Sequence, residues 1–257
     1  MKRYGRFPIR RLPDGRACVN LGSSARVAPG WNNVDSSWLF RLARYPTAAR
    51  LFRRFGLISD DRWDRLQKLD RSVVVWNLAR GIPYSDQSFD VVYHSHVLEH
   101  IDREAAPAFL AECFRVLKPG GVIRIVVPDL EVLARRYLAA VERLPNHGGF
   151  DAHTAAIDEI FDQMVRRLPP QRADRPLLVR LLENLLIGDF ARSGTLHRWM
   201  YDRFSLGSLL EKTGFVGVSP FDAATSQING WNSFGLDLEG DGTPYKPGSL
   251  YLEARRP

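Results

Sequence analysis

The chain has 257 residues, 45% hydrophobic and 25% charged, a balance that suits a folded globular protein and excludes wholesale disorder. No apolar run reaches the ~18–20 residues of a membrane-spanning helix, and the basic start Met1-Lys2-Arg3-Tyr4-Gly5-Arg6 lacks the apolar stretch of a secretory signal. The formal net charge of +7 favours anionic partners: phosphate, nucleic acid, anionic lipid or acidic sugar. Nearly all the cations are arginine, with lysine only at positions 2, 68, 118, 212 and 246. Codon bias explains that excess without any partner, whereas bidentate carboxylate or phosphate binding would use it. Cys18 and Cys113 both lie in apolar runs and read as reduced core thiols, which points to the cytoplasm.

In chain order, residues 1–16 form a basic lead-in. Ala17–Gly22 reads as a buried strand ending in glycine, and Trp31–Asp35 as a second strand ending in an acid. Residues 37–69 carry helical spacing (Leu39, Leu42, Ala43, then Leu51, Phe52, Phe55), with Arg41, Arg44, Arg50, Arg53 and Arg54 in the same region. A solvated helix face explains this pattern; peripheral contact with anionic lipid through 37–69 is the sharper alternative. Ser72–Trp76 and Phe89–His94 are strands of the doubly buried kind, rich in β-branched residues. A helix over 107–117 presents Phe109, Leu110, Cys113, Phe114 and Leu117 on one face, with Pro107 tolerable only in its first turn. Lys118-Pro119-Gly120-Gly121 stops it, and Val122–Val127 is the next strand, closed by Pro128.

Residues 129–203 read as an inserted helical cap, broken at Pro169-Pro170. Leu206, Leu209 and Leu210 resume a helix, Phe215–Val218 and Leu250–Ala254 are the last strands, and Asn229–Gly248 is a long ordered loop between them. Alternating strands and helices imply an α/β fold with a doubly wound, mostly parallel sheet.

A strand ending in Gly22, with an acid 13 positions later at Asp35, fits a nucleotide-type site on the carboxyl edge of such a sheet. Glycine admits a ligand to the backbone, and the carboxylate accepts hydrogen bonds from ribose hydroxyls. An ordinary turn explains Leu21-Gly22 equally.

The remaining blocks are more specific. Ile82-Pro83-Tyr84-Ser85-Asp86-Gln87-Ser88-Phe89-Asp90, Val97-Leu98-Glu99-His100 and Arg115-Val116-Leu117-Lys118-Pro119-Gly120-Gly121 follow one another at fixed spacing. In this order they resemble the class I S-adenosylmethionine-dependent methyltransferases, and most of all the small methyltransferase type 11 group found among polysaccharide-biosynthesis enzymes. The similarity runs from about Cys18 to Ala254 and includes His197-Arg198-Trp199-Met200-Tyr201-Asp202.

The resemblance implies a single methyltransferase domain over 1–257, a seven-stranded Rossmann-like sheet, and S-adenosyl-L-methionine as cofactor. By the same token Asn20, Gly22 and Ser23 would pass beneath the methionine part, Asp35 would hold the ribose, Asn77 and Leu78 would flank the adenine, and Ser95 would line the methionine side. Two positions depart from the family. Its Gly-x-Gly-x-Gly loop is here Gly22-Ser23-Ser24-Ala25-Arg26, and Asn77 replaces the usual adenine-side aspartate. Both changes should weaken cofactor binding, and they keep open a non-catalytic binding protein with a degenerate cofactor site.

Methyl transfer from a sulfonium needs alignment and exclusion of water, and a hydroxyl acceptor benefits from a general base. His96, Asp129, His197 and Tyr201 are the candidates, with helix capping the plain alternative for Asp129 and core packing for His197. His197 and Tyr201 lie one turn apart if that segment is helical. His96 and His100 have metal-ligand spacing, but no further ligands are evident in the sequence, so no metal is expected. Glu99-His100 reads as a helix start beside the cofactor loop, and Trp31 and Trp231 as packing residues. The implied acceptor is a small molecule or glycan of anionic character, methylated on oxygen. Nucleic acid is disfavoured because His94-Ser95-His96-Val97 lacks the Asn/Asp-Pro-Pro-aromatic motif of base-amine enzymes, and a dinucleotide oxidoreductase because Gly-x-Gly-x-x-Gly is missing.

Overall fold

A computed structural model of the chain describes residues 5, 7–143, 151–164 and 197–257. The Pro169-Pro170 break and the rest of the cap over 165–196 lie outside these residues. The described strands are β1 Cys18–Leu21, β2 Asn32–Asp35, β3 Val74–Val75, β4 Phe89–Ser95, β5 Leu117–Pro128, β6 Val216–Phe221 and β7 Ser249–Arg255. They form a seven-stranded sheet in the order β3-β2-β1-β4-β5-β7-β6. The first five are parallel and β7 is antiparallel to both its neighbours. The chain leaves β1 outward through β2 and β3, then returns to lay β4 against β1's other side. The carboxyl edge between β1 and β4 is therefore the switch point at which ligands settle on such sheets.

The helices form where caps and periodicity agree. In α4 (Ala106–Val116), Pro107 sits in the first turn and Ala106, Phe109, Leu110, Cys113 and Val116 are buried. Asp129 caps α5 (Leu130–Glu142) by accepting from the amides of Glu131 and Val132, and Asp202 makes a capping box with Ser205 at the helix Arg203–Lys212. α5 is followed by α6 (Asp151–Met164), which packs against it. Residues 37–69 fold as α1 Trp38–Ala43, α2 Pro46–Arg54 and α3 Asp60–Lys68. These helices spend most of their apolar residues on one another, in a cluster of Leu42, Ala43, Ala49, Ile58 and Leu66. Tyr45, Leu51 and Phe55 stay exposed. Among the described residues no helix is long and apolar enough to cross a membrane.

Several boundaries differ from the sequence reading. Only Val74–Val75 of the 72–76 run pairs as a strand, because it lies at the sheet edge and has β2 alone to bond with. The Lys118–Gly121 stop does not precede β5 but lies inside it. Leu117 already pairs with Phe89 and Val122 with Val91, so the register shift between them takes up three extra residues of β5. Gly121 is required there, since a Cβ would stand 2.9 Å from the Lys118 carbonyl oxygen. The His197–Asp202 segment is extended rather than helical, so His197 and Tyr201 are not one turn apart. Glu99 O accepts the amides of Arg198 and Trp199, Leu130 N donates to Tyr201 O, and Tyr201 bridges Asp129.

The motifs that carry the family resemblance are fastenings of the scaffold. Asp90 receives Lys118 Nζ on both oxygens at 2.8 Å and the Ala17 amide at 2.7 Å, tying β1, β4 and β5. Arg115 donates to Asp86, to Glu112 and to the carbonyls of Ile82 and Tyr84, holding the loop before β4. Cys18 and Cys113 are buried and unpaired with each other, and burial pushes the Cys18 thiol up to about 12. Trp31 and Trp231 are core residues, edge to face at 6.0 Å.

Candidate active site at the carboxyl edge of the sheet

The ends of the parallel strands gather the sequence-derived candidates on one rim. Gly22–Ser24 follow β1, Asp35 ends β2, Asn77 and Leu78 follow β3, Ser95 ends β4 with His96 just after it, and Asp129 follows β5. The register Leu21↔Val34 and Leu21↔His94 sets the tips of β2 and β4 on either side of Gly22.

The loop after β1 turns sharply. Gly22 and Ser23 both donate to Val34 O, and Gly22 (φ 70°) and Ser24 (φ 47°) are left-handed. Ser24 stands where the family's second glycine would, so the backbone keeps the glycine shape without the glycine. Gly22 itself has no room for a side chain: a Cβ would lie 2.4 Å from Val97 Cγ2, on the loop after β4. Asp35 accepts from Ser24 N at 2.8 Å and Ser37 N at 2.6 Å, which leaves lone pairs on both oxygens. Burial lifts its carboxyl above the usual range, although the amides of Ser37, Ser24 and Ser36 oppose the shift. Ser23 is buried, with no partner for its hydroxyl.

Asn20 has a different task. Its side chain is buried and donates to Arg26 O and Asn33 Oδ1, so it shapes the 22–28 loop from behind. Asn77 is exposed and caps the 3₁₀ turn Leu78–Arg80 through the Ala79 amide. Ser95 is half-buried between β1's end and β5. Arg26 reaches across to Glu239 and Leu238 O and stacks on Tyr245 at 4.2 Å, fastening the 229–248 loop beside the rim.

The other side of the rim is built around Glu99. Its side chain is fully buried, and apart from neighbouring imidazoles the carboxylate has no hydrogen-bond partner among the described residues. Three imidazoles surround Oε1: His96 Nδ1 at 3.1 Å, His197 Nε2 at 3.9 Å and His100 Nε2 at 4.0 Å. Burial works to raise the Glu99 carboxyl, but His96 and then His100 outweigh it and hold it below its usual range. His96 adopts a left-handed φ of 53° and its Nε2 pairs with Ser249 Oγ at 3.0 Å. Such strain persists where surrounding contacts over-determine a residue, as they do at functional sites. His197 is buried, its Nδ1 against Gln163 O, and burial lowers its pKa against the pull of Glu99. The Tyr201 hydroxyl is buried without a partner and pushed up to about 12 by burial and then by Glu99. Asp129 is partly buried, its Oδ1 committed to the α5 cap.

From the sequence, Glu99-His100 reads as a helix start beside the cofactor loop, with no metal expected. Sequence spacing pairs His100 with His96; only the fold brings in His197, 98 positions from Glu99.

The family model described as a methyltransferase domain matches residues 60–125, from α3 through most of β5. Residues 60–125 of this chain thus resemble a methyltransferase domain. A protein of Mycolicibacterium smegmatis named a probable S-adenosylmethionine-dependent methyltransferase is 47% identical over 53 residues, 21% of this chain and 20% of its own. The ubiquinone/menaquinone biosynthesis C-methyltransferase UbiE of Xylella fastidiosa is 32% identical over 120 residues, 42% of this chain and 45% of its own. The chain thus spans less than half the length of these curated relatives. Among solved structures, phosphoethanolamine N-methyltransferase 2 of Haemonchus contortus in complex with S-adenosyl-L-methionine matches all of this chain and 51% of its own, at 14% identity and a TM-score of 0.41.

Proposed function

We propose that this methyltransferase domain transfers a methyl group from S-adenosyl-L-methionine to a hydroxyl oxygen, with a sugar or glycan intermediate as the acceptor. The observation that carries the cofactor half is the rim. A side-chain-free Gly22 at the switch point stands beside an Asp35 carboxylate with lone pairs to spare, and the Ser23 hydroxyl lacks a partner. Those residues fit a nucleoside with a charged tail. The cofactor, when bound, supplies an electrophilic methyl and leaves as a neutral thioether. Asp35 takes the ribose hydroxyls, Asn77 and Leu78 stand at the adenine end, and Gly22, Ser23 and Ser95 admit the methionine end.

The acceptor half rests on the chemistry around Glu99. His96 keeps about a fifth of its side chain exposed, with the Glu99 carboxylate 3.1 Å behind Nδ1 to orient the ring. It accepts the acceptor's hydroxyl proton as the new C–O bond forms. Tyr201 stays protonated and donates to the acceptor, while His197 and Asp129 position the segment that carries it. The sugar rests on the type 11 resemblance and on the cationic surface, which suits an acidic or phosphate-linked glycan. The UbiE relatives are named as C-methyltransferases, so a quinol belongs in the acceptor panel as the competing reading.

The test is calorimetry with S-adenosylhomocysteine, then release of that product from S-adenosylmethionine over sugar-nucleotide, glycan and quinol acceptors. Heat and turnover on a hydroxylated sugar support the reading; turnover on the quinol alone overturns its acceptor half. No heat at high concentration replaces it with a non-catalytic binding protein, for which the serine at position 24 speaks.

Asp35→Ala should cost about tenfold or more in cofactor affinity, since a hydrogen bond to a charged group contributes roughly 1.5–3 kcal/mol. The ionised carboxylate is the accepting form. Affinity should therefore fall as pH drops through the raised Asp35 pKa, above the ordinary carboxylate range, and Asp35→Asn should flatten that dependence. An unchanged dissociation constant in Asp35→Ala removes the residue from the site.

A further inference from the structure

We propose that Glu99, His100 and His197 form a binding site for a divalent transition-metal ion, with zinc as the reference ion. The donor atoms of these three residues lie within 4.8 Å of one another. A zinc ion at about 2.0–2.1 Å from each would draw them to about 3.4 Å, a closing that side-chain rotation supplies. Two imidazoles and one carboxylate are a borderline donor set suited to zinc and its neighbours rather than to magnesium or calcium.

Two features inside the cluster call for a cation. The first is Glu99 itself, fully buried, with the His96 Nδ1 at 3.1 Å from Oε1 and no partner for Oε2. An ionised carboxylate in that state costs several kcal/mol unless a positive charge compensates it. The second is the tautomer of His197. Gln163 O can only accept, so the Nδ1 facing it carries the hydrogen. In the neutral ring Nε2 is then a bare lone pair, buried and without a partner, 3.9 Å from Glu99 Oε1. A lone pair turned toward a carboxylate is repulsive unless a cation lies between them. A backbone carbonyl behind the distal nitrogen is also the usual support of a metal-binding histidine. His100, whose ring centroid is 4.8 Å from that of His197, closes the third side.

The site has an entrance. His96 and His100 keep 20% and 21% of their side chains exposed while Glu99 and His197 are sealed behind them. Three protein ligands leave a fourth position for water or for an oxygen of the acceptor. On the methyl-transfer reading, an acceptor hydroxyl bound there is acidified beside His96. The ion site itself does not depend on that reading, and its tests need no cofactor.

Chelator-stripped full-length protein should bind one equivalent of zinc by calorimetry, and cobalt should give the visible absorption of a low-symmetry four-coordinate site. Glu99→Gln and His197→Ala should each weaken binding by about a hundredfold or more, beyond the 10–100-fold typical of supporting groups. His100→Ala changes a half-exposed ring and serves as the variant least exposed to folding failure. Absence of zinc binding to the wild type, or wild-type affinity in the folded His100→Ala and Glu99→Gln proteins, overturns the proposal. Zinc binding with no effect on methyl transfer upholds the site and removes only its catalytic role. Loss of methyl transfer with zinc binding intact counts against the proposed function alone.

Discussion

Arg124→Met should destabilise the protein by about 3–5 kcal/mol, the range for removing one partner of a buried ion pair. Arg124 is fully buried in β5 and sits at the centre of the sheet's second face. Nε donates to Asp237 at 2.7 Å, Nη1 to Glu253 at 2.6 Å and to Thr225 O, and Nη2 to Asp222 O. The guanidinium also lies over Trp231 at 4.7 Å. Methionine fills much of the volume but leaves two carboxylates without their cation. Asp237 still has Tyr93 and Trp231 as donors, and Glu253 has Ser226 and the Gln227 amide. Burial already raises the Asp237 carboxyl against the pull of Arg124, and without that pull it would rise further. Arg124→Lys should recover only part of the loss, because a single ammonium cannot reach four acceptors spread around a planar fork. Urea unfolding of the three proteins measures this, and a loss under about 1 kcal/mol in Arg124→Met would show the network to be dispensable.

This network marks the limit of what the sequence discloses. The run Val122–Val127 is legible as a buried strand, and 229–248 as an ordered loop. That one arginine within the strand pins the segment leading into that loop is not legible, since its partners lie 113 and 129 positions away. The same holds at the site. Gly22 and Asp35 can be named from local pattern because each ends a strand, and parallel strands bring their ends to one edge. His197 and Tyr201 would lie one turn apart only if their segment were helical. Their segment is extended because its amides and carbonyls are taken by Glu99 and Leu130, which local periodicity cannot report. The resemblance implies only that the Asn20 backbone passes beneath the cofactor; that its side chain turns inward to Asn33 and Arg26 O is visible only in the fold.

The serine at position 24 changes meaning once the backbone is known. As sequence it is a lost glycine. As structure it is a serine held at φ 47° by the Asp35 carboxylate on its amide, so the loop's shape is preserved at the cost of some strain. Asp35 thereby shapes the loop as well as facing the ribose, which couples the two halves of the cofactor rim.

Gly22→Ala should lower affinity for S-adenosylhomocysteine by about thirtyfold or more, and rescue by Val97→Ala should be partial. Two costs add in the single variant. A left-handed φ of 70° costs an L-residue about 1–2 kcal/mol, and the new Cβ would meet Val97 Cγ2 at 2.4 Å, an overpacking typically worth about 1–3 kcal/mol. The loop escapes both by leaving the binding-competent shape, and apparent affinity falls with the competent fraction. Val97→Ala alone removes methyls from the clash partner and should change affinity little, since Val97 is only half-buried. In Gly22→Ala/Val97→Ala the steric cost disappears and the backbone cost remains. The double-variant loss should therefore be smaller than the Gly22→Ala loss, giving a favourable coupling between two residues 75 positions apart. Strict additivity would mean that the loop after β1 and the loop after β4 do not meet across the switch point, and that the cofactor rim is not built as described.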